Sequence, residues 1–316
     1  MISFVVPFLN EQDTLEELHR RIAAELGDRP FEVVFVDDGS TDGSVKVIER
    51  LLASHPEVRL VQLRGNFGKA AALAAGFDHA RGEIVFTLDA DLQDDPKEIP
   101  RFLQKLDEGF DCVSGYKQVR HDPWHKVFPS RVFNAMVRAL TGVPLHDVNC
   151  GFKCYRAEVV KNVRLYGELH RFVPVLAHLK RFRVAEIVVE HHARRFGVSK
   201  FGAGRFSRGL MDLLTVWFLL KFDRKPSHFF GRVGGLSLFA GLGVLGYLTV
   251  LKLLGEAIGH RPLLILGVLL VMVGVQILAT GLLAELIVST AAPQAPYLLR
   301  RVVDGEAGPV ARKVSP

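Results

Sequence analysis

Residues 83–93 have the sequence EIVFTLDADLQ, which joins an apolar run to a pair of carboxylates. A nearly continuous apolar run that ends in polar residues is typical of a parallel strand buried on both faces of its sheet. Asp89 and Asp91 are two residues apart, so their side chains lie on one face of an extended segment. Adjacent carboxylates repel each other unless a cation lies nearby, and their hard oxygen atoms suit Mg²⁺ or Mn²⁺. This stretch therefore predicts a divalent-metal site at the end of a buried strand.

Short apolar runs alternate with helical patterns around this stretch. Strands are predicted at 4–8, 32–38, 59–63, 83–89 and 111–115, and helices at 14–26, 44–54, 69–79 and 96–108. This alternation predicts an α/β domain with a mostly parallel sheet. Ligands bind beyond the carboxyl ends of the strands in such sheets, so polar pairs that directly follow strands are expected to meet at one edge. These pairs are Asn10 with Glu11, Asp37 with Asp38, and Asp89 with Asp91.

The starts of two predicted helices carry local signals. Thr14 and Glu17 match a capping box. Asp95 followed by Pro96 fits an N-cap with proline at the first helical position. Asp94 and Asp95 are therefore assigned to the start of a helix and are left out of the predicted site.

The chain is both apolar and basic. Hydrophobic residues make up 49% of its 316 residues, the mean hydropathy is +0.21 and the formal net charge is +6. Lys and Arg greatly outnumber acidic residues between positions 194 and 225, directly before an apolar tail. A basic stretch in this position is typical of contact with anionic lipid headgroups or phosphates, and no nucleic-acid-binding motif accompanies it. Membrane lipids, and not nucleic acid, are the expected partners.

The three cysteines do not have the spacing of a disulfide framework, which favours a reducing compartment. Cys150 and Cys154 lie near His146, but a convincing fourth zinc ligand is missing from the sequence around them. We therefore interpret Cys112, Cys150 and Cys154 as residues of the core.

Two long apolar segments follow the predicted domain. Residues 233–251 and 262–284 extend over 19 and 23 positions without a charge. At ~1.5 Å per residue, each can cross a hydrocarbon core of ~30 Å. Transmembrane helices are predicted at about 229–253 and 262–288. Lys and Arg cluster before the first and after the second, which places both flanking parts in the cytoplasm.

Six short motifs occur in order along the first 230 residues. They are PFLNE at 7–11, DDGS at 37–40, NFGK at 66–69, DADLQD at 89–94, HDVNCGFK at 146–153 and GVSKF at 197–201. Together they resemble the family-two inverting glycosyltransferases that act on polyprenyl phosphates. The apolar tail is similar to that of the bacterial undecaprenyl-phosphate branch. The resemblance implies a Rossmann-like domain of the glycosyltransferase A type, followed by an interfacial helix and two transmembrane helices.

The chain is therefore expected to have four parts. Residues 1–203 form the predicted cytoplasmic catalytic domain, and residues 204–228 form an amphipathic juxtamembrane segment. Residues 229–289 contain the two transmembrane helices, and residues 290–316 form a cytoplasmic tail. The expected location is the cytoplasmic membrane.

The resemblance also implies roles for individual residues. A nucleotide-sugar pocket, closed over the phosphates by a later segment, would contain Pro7, Asn10, Glu11, Asp37, Asp38, Asp89, Arg195 and Lys200. Lys69, near a helix start, is a further candidate for a contact with the donor phosphates. The metal, Mg²⁺ or Mn²⁺, would be held by Asp89, Asp91 and Gln93. The acceptor phosphate would be bound by Lys117, Arg120, Ser130 and Arg131, because two phosphorylated substrates approach each other only if cations offset their repulsion.

Asp147 lies in the HDVNCGFK motif, where inverting relatives place an active-site acid. It completes a catalytic set with Asp89 and Asp91. Asp147 acts either as a general base or as a group that positions the acceptor or the sugar. A phosphate monoester, with a second pKa of about 6, is largely ionised at neutral pH and does not need a base. His170 and Arg171 are additional candidates for contact with the acceptor.

The resulting hypothesis is metal-dependent transfer of a sugar from a UDP-sugar to polyprenyl phosphate, with inversion. Glucose is the expected sugar on family resemblance alone. Two alternatives stay open: a GDP-mannose-dependent enzyme of the dolichol-phosphate mannose synthase type, and a non-catalytic membrane scaffold that binds nucleotide sugar. A homo-oligomer is also left open.

Overall fold

The computed structural model divides the chain into two compact units. One comprises Met1–Val216 and Ala295–Pro316, and the other comprises Trp217–Gln294. The structure describes residues 1–118, 134–139, 141–143, 145–163, 165, 169–190, 226–257, 262–290 and 299–304.

An eight-stranded sheet, counted over the described residues, forms the centre of the first unit. Its strands are β1 (Ile2–Phe8), β2 (Phe31–Asp37), β3 (Val58–Leu63), β4 (Ile84–Thr87), β5 (Cys112–Tyr116), β6 (Lys153–Arg156), β7 (Val184–Val188) and β8 (Leu299–Asp304). The spatial order is β7-β5-β6-β4-β1-β2-β3-β8. β6 and β8 are antiparallel to their neighbours, and the other pairings are parallel. The predicted mostly parallel α/β sheet is confirmed.

Helices cover both faces of this sheet. They are α1 (Leu15–Leu26), α2 (Ser44–Ser54), α3 (Lys69–His79), α4 (Ile99–Asp107), α5 (Ala157–Asn162) and α6 (Val173–Leu179). α1, α2 and α4 contribute to one apolar cluster, and α3, α5 and α6 contribute to another. Consecutive residues of β1 enter different clusters: Phe4 and Val6 join the first and Val5 joins the second. Coverage on both faces explains the nearly continuous apolar runs of the parallel strands.

The elements predicted within the first 116 residues agree with the structure to within two residues at each end, except that α4 begins three residues after the predicted start. Residues 96–98 form a 3₁₀ turn before α4, and Asp95 caps it by accepting a hydrogen bond from the Lys97 N–H (3.2 Å). Sequence analysis missed β6, β7 and β8. β6 has only four residues, and β7 and β8 mix charged with apolar residues, so none has a clear strand pattern.

The capping box predicted at Thr14 is wrong. Thr14 precedes α1, but its side chain makes no hydrogen bond to the helix; instead, its Oγ1 donates to the Glu11 carbonyl oxygen (3.0 Å). Glu17 pairs with Arg20 and Arg21 at 2.7 Å. Hydrogen bonds between two charged groups are stronger than a contact with a neutral N–H, so the guanidinium groups take the carboxylate.

The C-terminal segment adds an edge strand to the first unit. β8 pairs with β3, from Asp304 opposite Arg59 to Leu299 opposite Leu63. Arg301 Nε donates to Gln62 Oε1 across this edge (3.0 Å). Residues 299–304, which sequence analysis placed in a C-terminal tail, therefore belong to the sheet.

Two long helices make up the described part of the second unit. They are α7 (Pro226–Leu253) and α8 (Pro262–Thr290), close to the predicted 229–253 and 262–288. Each is long and apolar enough to cross a membrane. Of the predicted juxtamembrane segment 204–228, only residues 226–228, at the start of α7, are described.

Glycines bring α7 and α8 into close contact. A Cβ added to Gly241 of α7 would lie 2.7 Å from the Val271 backbone nitrogen of α8. A Cβ on Gly274 of α8 would lie 2.6 Å from the Leu238 backbone nitrogen of α7. Backbone approach through small residues is typical of helix pairs in membranes.

A buried carboxylate ties three strands together at the amino edge of the sheet. Glu32 of β2 is only 5% exposed. It accepts hydrogen bonds from Ser3 Oγ of β1 (2.5 Å) and from the Arg81 N–H (2.6 Å), and it pairs with Arg59 of β3 (3.3 Å). A buried charge is tolerated when it is paired and hydrogen-bonded in this way.

We expect Glu32→Gln to lower the free energy of unfolding by about 3 kcal/mol, because it leaves Arg59 buried beside a neutral group. The three cysteines are free and buried in the first unit. The extent of thiol labelling at increasing urea concentrations therefore gives the midpoint of unfolding of that unit, separately from the long helices. Glu83→Gln, at an exposed position near the same edge, is the matched control and should leave the midpoint unchanged. Equal midpoints for the two variants would contradict the structural role of Glu32.

Candidate active site

The turns after β1 and β2 lie side by side at the carboxyl edge of the sheet. Asn10 has a φ of 56°, in the left-handed region that Asn tolerates. Its Oδ1 accepts from the Thr41 N–H (2.8 Å), and its own N–H donates to Ser40 Oγ (3.0 Å). The Glu11 N–H donates to Ser44 Oγ (2.9 Å). These contacts confirm the prediction that Asn10 and Glu11 lie close to the residues that follow β2.

Asp37 ends β2 with its side chain fully buried. Oδ1 accepts from the Ser40 N–H (2.8 Å), and Oδ2 accepts from Gln62 Nε2 of β3 (3.0 Å). Pro7 lies opposite Val36 in the neighbouring strand, one position before this edge. Asp37 therefore shapes the 37–40 turn, and the nucleoside contacts expected of Asp37 and Pro7 stay a prediction.

Asp38 connects this turn to the loop before α3. Its carboxylate accepts from the N–H groups of Phe67 (2.8 Å) and Gly68 (3.0 Å). Burial raises the pKa of Asp38, while the two N–H groups act in the opposite direction. Gly39, with a φ of +83°, permits the close approach, since a Cβ there would lie 2.7 Å from the Gly65 carbonyl carbon. Asp38 thus positions the loop from which α3 begins.

Asp89 follows β4 and forms an ion pair with Lys69, the first residue of α3. Both side chains are about one-third exposed. Removal from water favours the protonated form of Asp89, but the Lys69 ammonium outweighs this effect and holds the pKa of Asp89 at about 2. A Cβ on Gly151 would lie 2.7 Å from the Asp89 carboxyl carbon. Asp89 is therefore an ionised carboxylate that has a glycine beside it.

Asp91 and Gln93 lie in the turn that follows β4. Leu92 adopts a φ of 57°, and Asp91 Oδ1 accepts from the Gln93 N–H (3.2 Å). Two carboxylates and one side-chain amide provide hard oxygen ligands of the kind that Mg²⁺ and Mn²⁺ take. Asp89 needs to lose no proton to bind a cation, and the missing Cβ of Gly151 leaves room beside its carboxylate. These residues fit a divalent ion.

The helix-start role expected of Asp94 is wrong. Asp94 is 2% exposed and pairs with Lys117 after β5 at 2.7 Å. Burial raises the pKa of Asp94, and the Lys117 ammonium opposes that rise. In the acidic run before Pro96, only Asp95 makes the capping contact. Lys117, predicted to bind the acceptor phosphate, is therefore near the metal ligands and carries a buried carboxylate partner.

Glu186 of β7 holds the turn that contains Asp147. Its carboxylate accepts from the N–H groups of His146 (3.0 Å) and Asp147 (2.9 Å), and it lies 2.8 Å from His146 Nδ1. Asp147 is 1% exposed, and its Oδ1 accepts from the Asn149 N–H (3.0 Å). Sequence analysis missed Glu186, because it is 39 residues from Asp147 and lies in an unpredicted strand.

A cavity of about 110 Å³ adjoins Asp89. It lies beside β4, β6 and the 3₁₀ turn Leu169–Phe172. Its charged and polar lining includes Lys69, Asp89, Asn149, Lys153, His170 and Arg171. The cavity therefore lies between Asp89, which follows β4, and the turn that follows Asp147. Lys153 belongs to the HDVNCGFK motif, and the sequence of this motif does not reveal that its side chain is buried.

Several predicted site residues lie outside the part of the chain that the structure describes: Arg120, Ser130, Arg131, Arg195 and Lys200. Their roles in binding the acceptor and the donor phosphates stay predictions. The described part of the predicted site is assembled from six separate stretches of the chain, at residues 7–11, 37–38, 69, 89–93, 117 and 147.

The family model "Glycosyl transferase family 2" matches residues 3–164. Dodecaprenyl-phosphate galacturonate synthase of Rhizobium johnstonii is 40% identical, over 96% of this chain and 94% of the relative. Undecaprenyl-phosphate 4-deoxy-4-formamido-L-arabinose transferase of Edwardsiella ictaluri is 37% identical, over 90% of this chain and 88% of the relative. The similarity thus extends over most of the length of each protein.

Solved structures with a similar fold include glucosyl-3-phosphoglycerate synthase of Mycobacterium tuberculosis. Its complex with Mn²⁺, UDP-glucose and phosphoglyceric acid has a TM-score of 0.54 and 23% identity, over 69% of this chain and 79% of that one. Its complex with UDP has a TM-score of 0.51 and 22% identity, over 70% and 79%. At this level of identity the likeness shows a shared fold of the glycosyltransferase A type.

Replacement of Glu186 should loosen the Asp147 turn. We expect Glu186→Ala to accelerate hydrogen exchange at the His146 and Asp147 amides by about 10- to 100-fold, since each loses a charged acceptor. Mass spectrometry of peptides that span residues 143–152 measures this change. Glu158→Gln, at an exposed position on α5, should leave these peptides unchanged. Unaltered exchange in Glu186→Ala would show that other contacts hold the turn.

Proposed function

The chain belongs to glycosyl transferase family 2, and from this membership we propose that it transfers a sugar from a UDP-sugar to a polyprenyl phosphate. The observation that carries the proposal is the carboxylate pair after β4, in which Lys69 holds Asp89 ionised beside a cavity. The names of both curated relatives specify a polyprenyl phosphate as acceptor, which supports the same acceptor class here.

The proposed donor lies across the carboxyl ends of β1, β2 and β4. Its nucleoside is contacted by the side chains or the backbone of the adjoining turns, at Pro7, Asn10, Glu11, Asp37 and Asp38. Solved neighbours of the same fold are described with UDP or UDP-glucose, which supports a uridine nucleotide. GDP-mannose is the alternative donor.

Asp89, Asp91 and Gln93 are proposed to hold Mg²⁺ or Mn²⁺. When bound there, such an ion would supply positive charge to offset the negative charge that develops on the departing diphosphate. Lys69 contributes in two ways, since it keeps Asp89 ionised and supplies positive charge at the start of α3. Arg195 and Lys200 are proposed to add further charge to the donor phosphates.

The proposed reaction is a direct displacement at the anomeric carbon. An oxygen of the lipid phosphate forms the new bond, the bond from the anomeric carbon to the diphosphate breaks, and the electron pair leaves with UDP. Inversion follows from attack opposite the leaving group. The acceptor phosphate is proposed to contact Lys117, Arg120, Ser130 and Arg131. Asp147 positions the substrates, because the phosphate is already largely ionised at neutral pH, with a second pKa of about 6.

α7 and α8 are proposed to cross the membrane as a pair. β3 precedes α7 and β8 follows α8, and the two strands are hydrogen-bonded to each other. We therefore propose that the segments before α7 and after α8 lie on one side of the membrane. In the sequence, basic residues occur before or near the start of α7 and after α8: Lys221, Arg224, Lys225, Arg232, Arg300, Arg301, Arg312 and Lys313. The positive-inside rule then assigns the catalytic unit to the cytoplasmic face, where membrane lipids are its partners.

The identity of the sugar differs among the relatives. Glucose follows from family resemblance, whereas the names of the curated relatives specify galacturonate and a formamido-arabinose. We therefore propose that residues lining the cavity select the sugar.

Sugar transfer to undecaprenyl phosphate in detergent, with a panel of radiolabelled UDP- and GDP-sugars, tests the function. We expect Mn²⁺-dependent product from UDP-sugars and none from GDP-mannose. Asp91→Asn should lower kcat/KM by at least ~100-fold, because it removes a charged metal ligand. Asp95→Asn is the matched control and should retain activity, since Asn also caps helices well.

Two results would contradict the proposal in different ways. Product from GDP-mannose alone would favour the dolichol-phosphate mannose synthase type. Metal-dependent UDP binding by folded protein, without product from any donor, would favour a membrane scaffold.

The role of Asp147 is tested by the pH dependence of Asp147→Asn. A positioning residue predicts a kcat lowered by about 10- to 100-fold with the same pH profile between about pH 6 and pH 9. If Asp147 is a general base, the wild-type profile instead contains an ionisation that the variant lacks. The two profiles are compared at saturating acceptor, so that kcat is measured rather than binding.

A further inference from the structure

Lys153 is a buried cation with little compensation from the protein. It is the first residue of β6, paired with Thr87 of β4 and Ser114 of β5, and it is 3% exposed. Among the described residues, its ammonium donates only to the Val148 carbonyl oxygen, at 3.3 Å. An ammonium has three donors, so one neutral acceptor at this distance compensates poorly for lost hydration.

Cationic residues outnumber acidic residues in the described lining of the cavity beside Lys153. Lys69, Lys153 and Arg171 contribute to its described lining, against the single carboxylate of Asp89, which Lys69 already engages. His170 also lines it, and its buried Nδ1 has no hydrogen-bond partner among the described residues. Burial, together with the neighbouring cations, lowers the pKa of His170. The cavity therefore offers hydrogen-bond donors and more positive than negative charge, and its described lining also contains one buried acceptor without a hydrogen-bond partner, Asn149 Oδ1.

The size of the cavity fits one polar substituent. Its volume is about 110 Å³, and a water molecule occupies ~30 Å³. The cavity therefore accommodates an anionic group and the carbon that carries it, rather than a nucleotide. Asp89 lines the cavity and is a proposed ligand of the metal on the donor diphosphate, so the sugar attached to that diphosphate would lie beside the cavity.

We propose that the donor sugar is acidic, with a carboxylate that enters this cavity, and that Lys153 is the residue that selects for it. The inference rests on the proposed function, since the proposed metal ligands place the sugar beside the cavity. A hexuronate brings the acceptor oxygens and the negative charge that Lys153 lacks. A neutral hexose brings a hydroxymethyl group, which accepts a hydrogen bond but leaves the charge uncompensated.

Burial lowers the pKa of Lys153, with a further contribution from the nearby Lys69, while Asp147 acts in the opposite direction. A bound carboxylate would favour the charged form again. The binding of an acidic sugar is thus coupled to the charge of Lys153, whereas the binding of a neutral sugar is not.

Donors that differ only at this substituent test the proposal: UDP-glucuronate against UDP-glucose, and UDP-galacturonate against UDP-galactose. Transfer to undecaprenyl phosphate is measured with the full chain in detergent and Mn²⁺. We expect kcat/KM for at least one uronate to exceed that of its matched hexose by at least ~10-fold. In Lys153→Met, which keeps the length of the side chain and removes its charge, this preference should fall by ~10- to 100-fold.

Three controls make the result specific. Lys161→Met, at an exposed position on α5, should retain the preference of the wild type. Lys153→Arg should retain more of the preference than Lys153→Met. UDP binding, measured by calorimetry, should be similar in all variants and excludes loss of the fold as the cause.

Several outcomes would overturn the inference. Equal use of uronates and hexoses by the wild type would do so. An equal loss for both donor types in Lys153→Met, with a raised KM for the lipid, would assign Lys153 to the acceptor phosphate instead. If no donor supports transfer, the proposed function fails, and the inference is then tested by the affinities of the protein for UDP-uronate and UDP-hexose. Tighter binding of the uronate that is lost in Lys153→Met supports the inference. Equal affinities refute it.

Discussion

The ion pair between Lys69 and Asp89 is the interaction on which the candidate active site depends. It connects the first residue of α3 to the end of β4, and it keeps Asp89 ionised where burial alone would favour the protonated form. A protonated carboxyl is a poor ligand for a hard cation. The loop before Lys69 is itself positioned by Asp38, whose carboxylate accepts two backbone hydrogen bonds. The loop at residues 64–68, which precedes Lys69, therefore connects the turn after β2 to the proposed metal ligand Asp89 and to the cavity.

Buried charges in the first unit differ in how the protein compensates them. Glu32 has an arginine, a hydroxyl and a backbone N–H around it, and it stabilises the amino edge of the sheet. Asp94 has Lys117 as a partner near the metal ligands. Lys153 has a single carbonyl oxygen among the described residues. Compensation by the protein is typical of a structural charge, and its absence is typical of a charge that meets a ligand.

The parts of the fold and site that the sequence predicted have local signals. Apolar runs that end in acids predicted β1 to β5, and the spacing of Asp89 and Asp91 predicted a metal site. Asp94 was misassigned because an acidic run before a proline does not reveal which acid caps the helix. Glu186 was missed because its partner turn is 39 residues away. Hydrogen bonds between distant segments have no sequence periodicity, so pattern analysis does not detect them.

The sequence by itself determined the α/β class, the order of the first strands and helices, the two long apolar helices and the family. These properties follow from periodicity, local turn chemistry and ordered motifs, which are all written in short stretches of the chain. Only the tertiary structure decided that residues 299–304 complete the sheet, that Glu186 holds the Asp147 turn and that Lys153 is buried beside Asp89. The physical reason is that burial and hydrogen-bond partners depend on which distant segments meet, and an exposed lysine and a buried lysine have the same letter in the sequence.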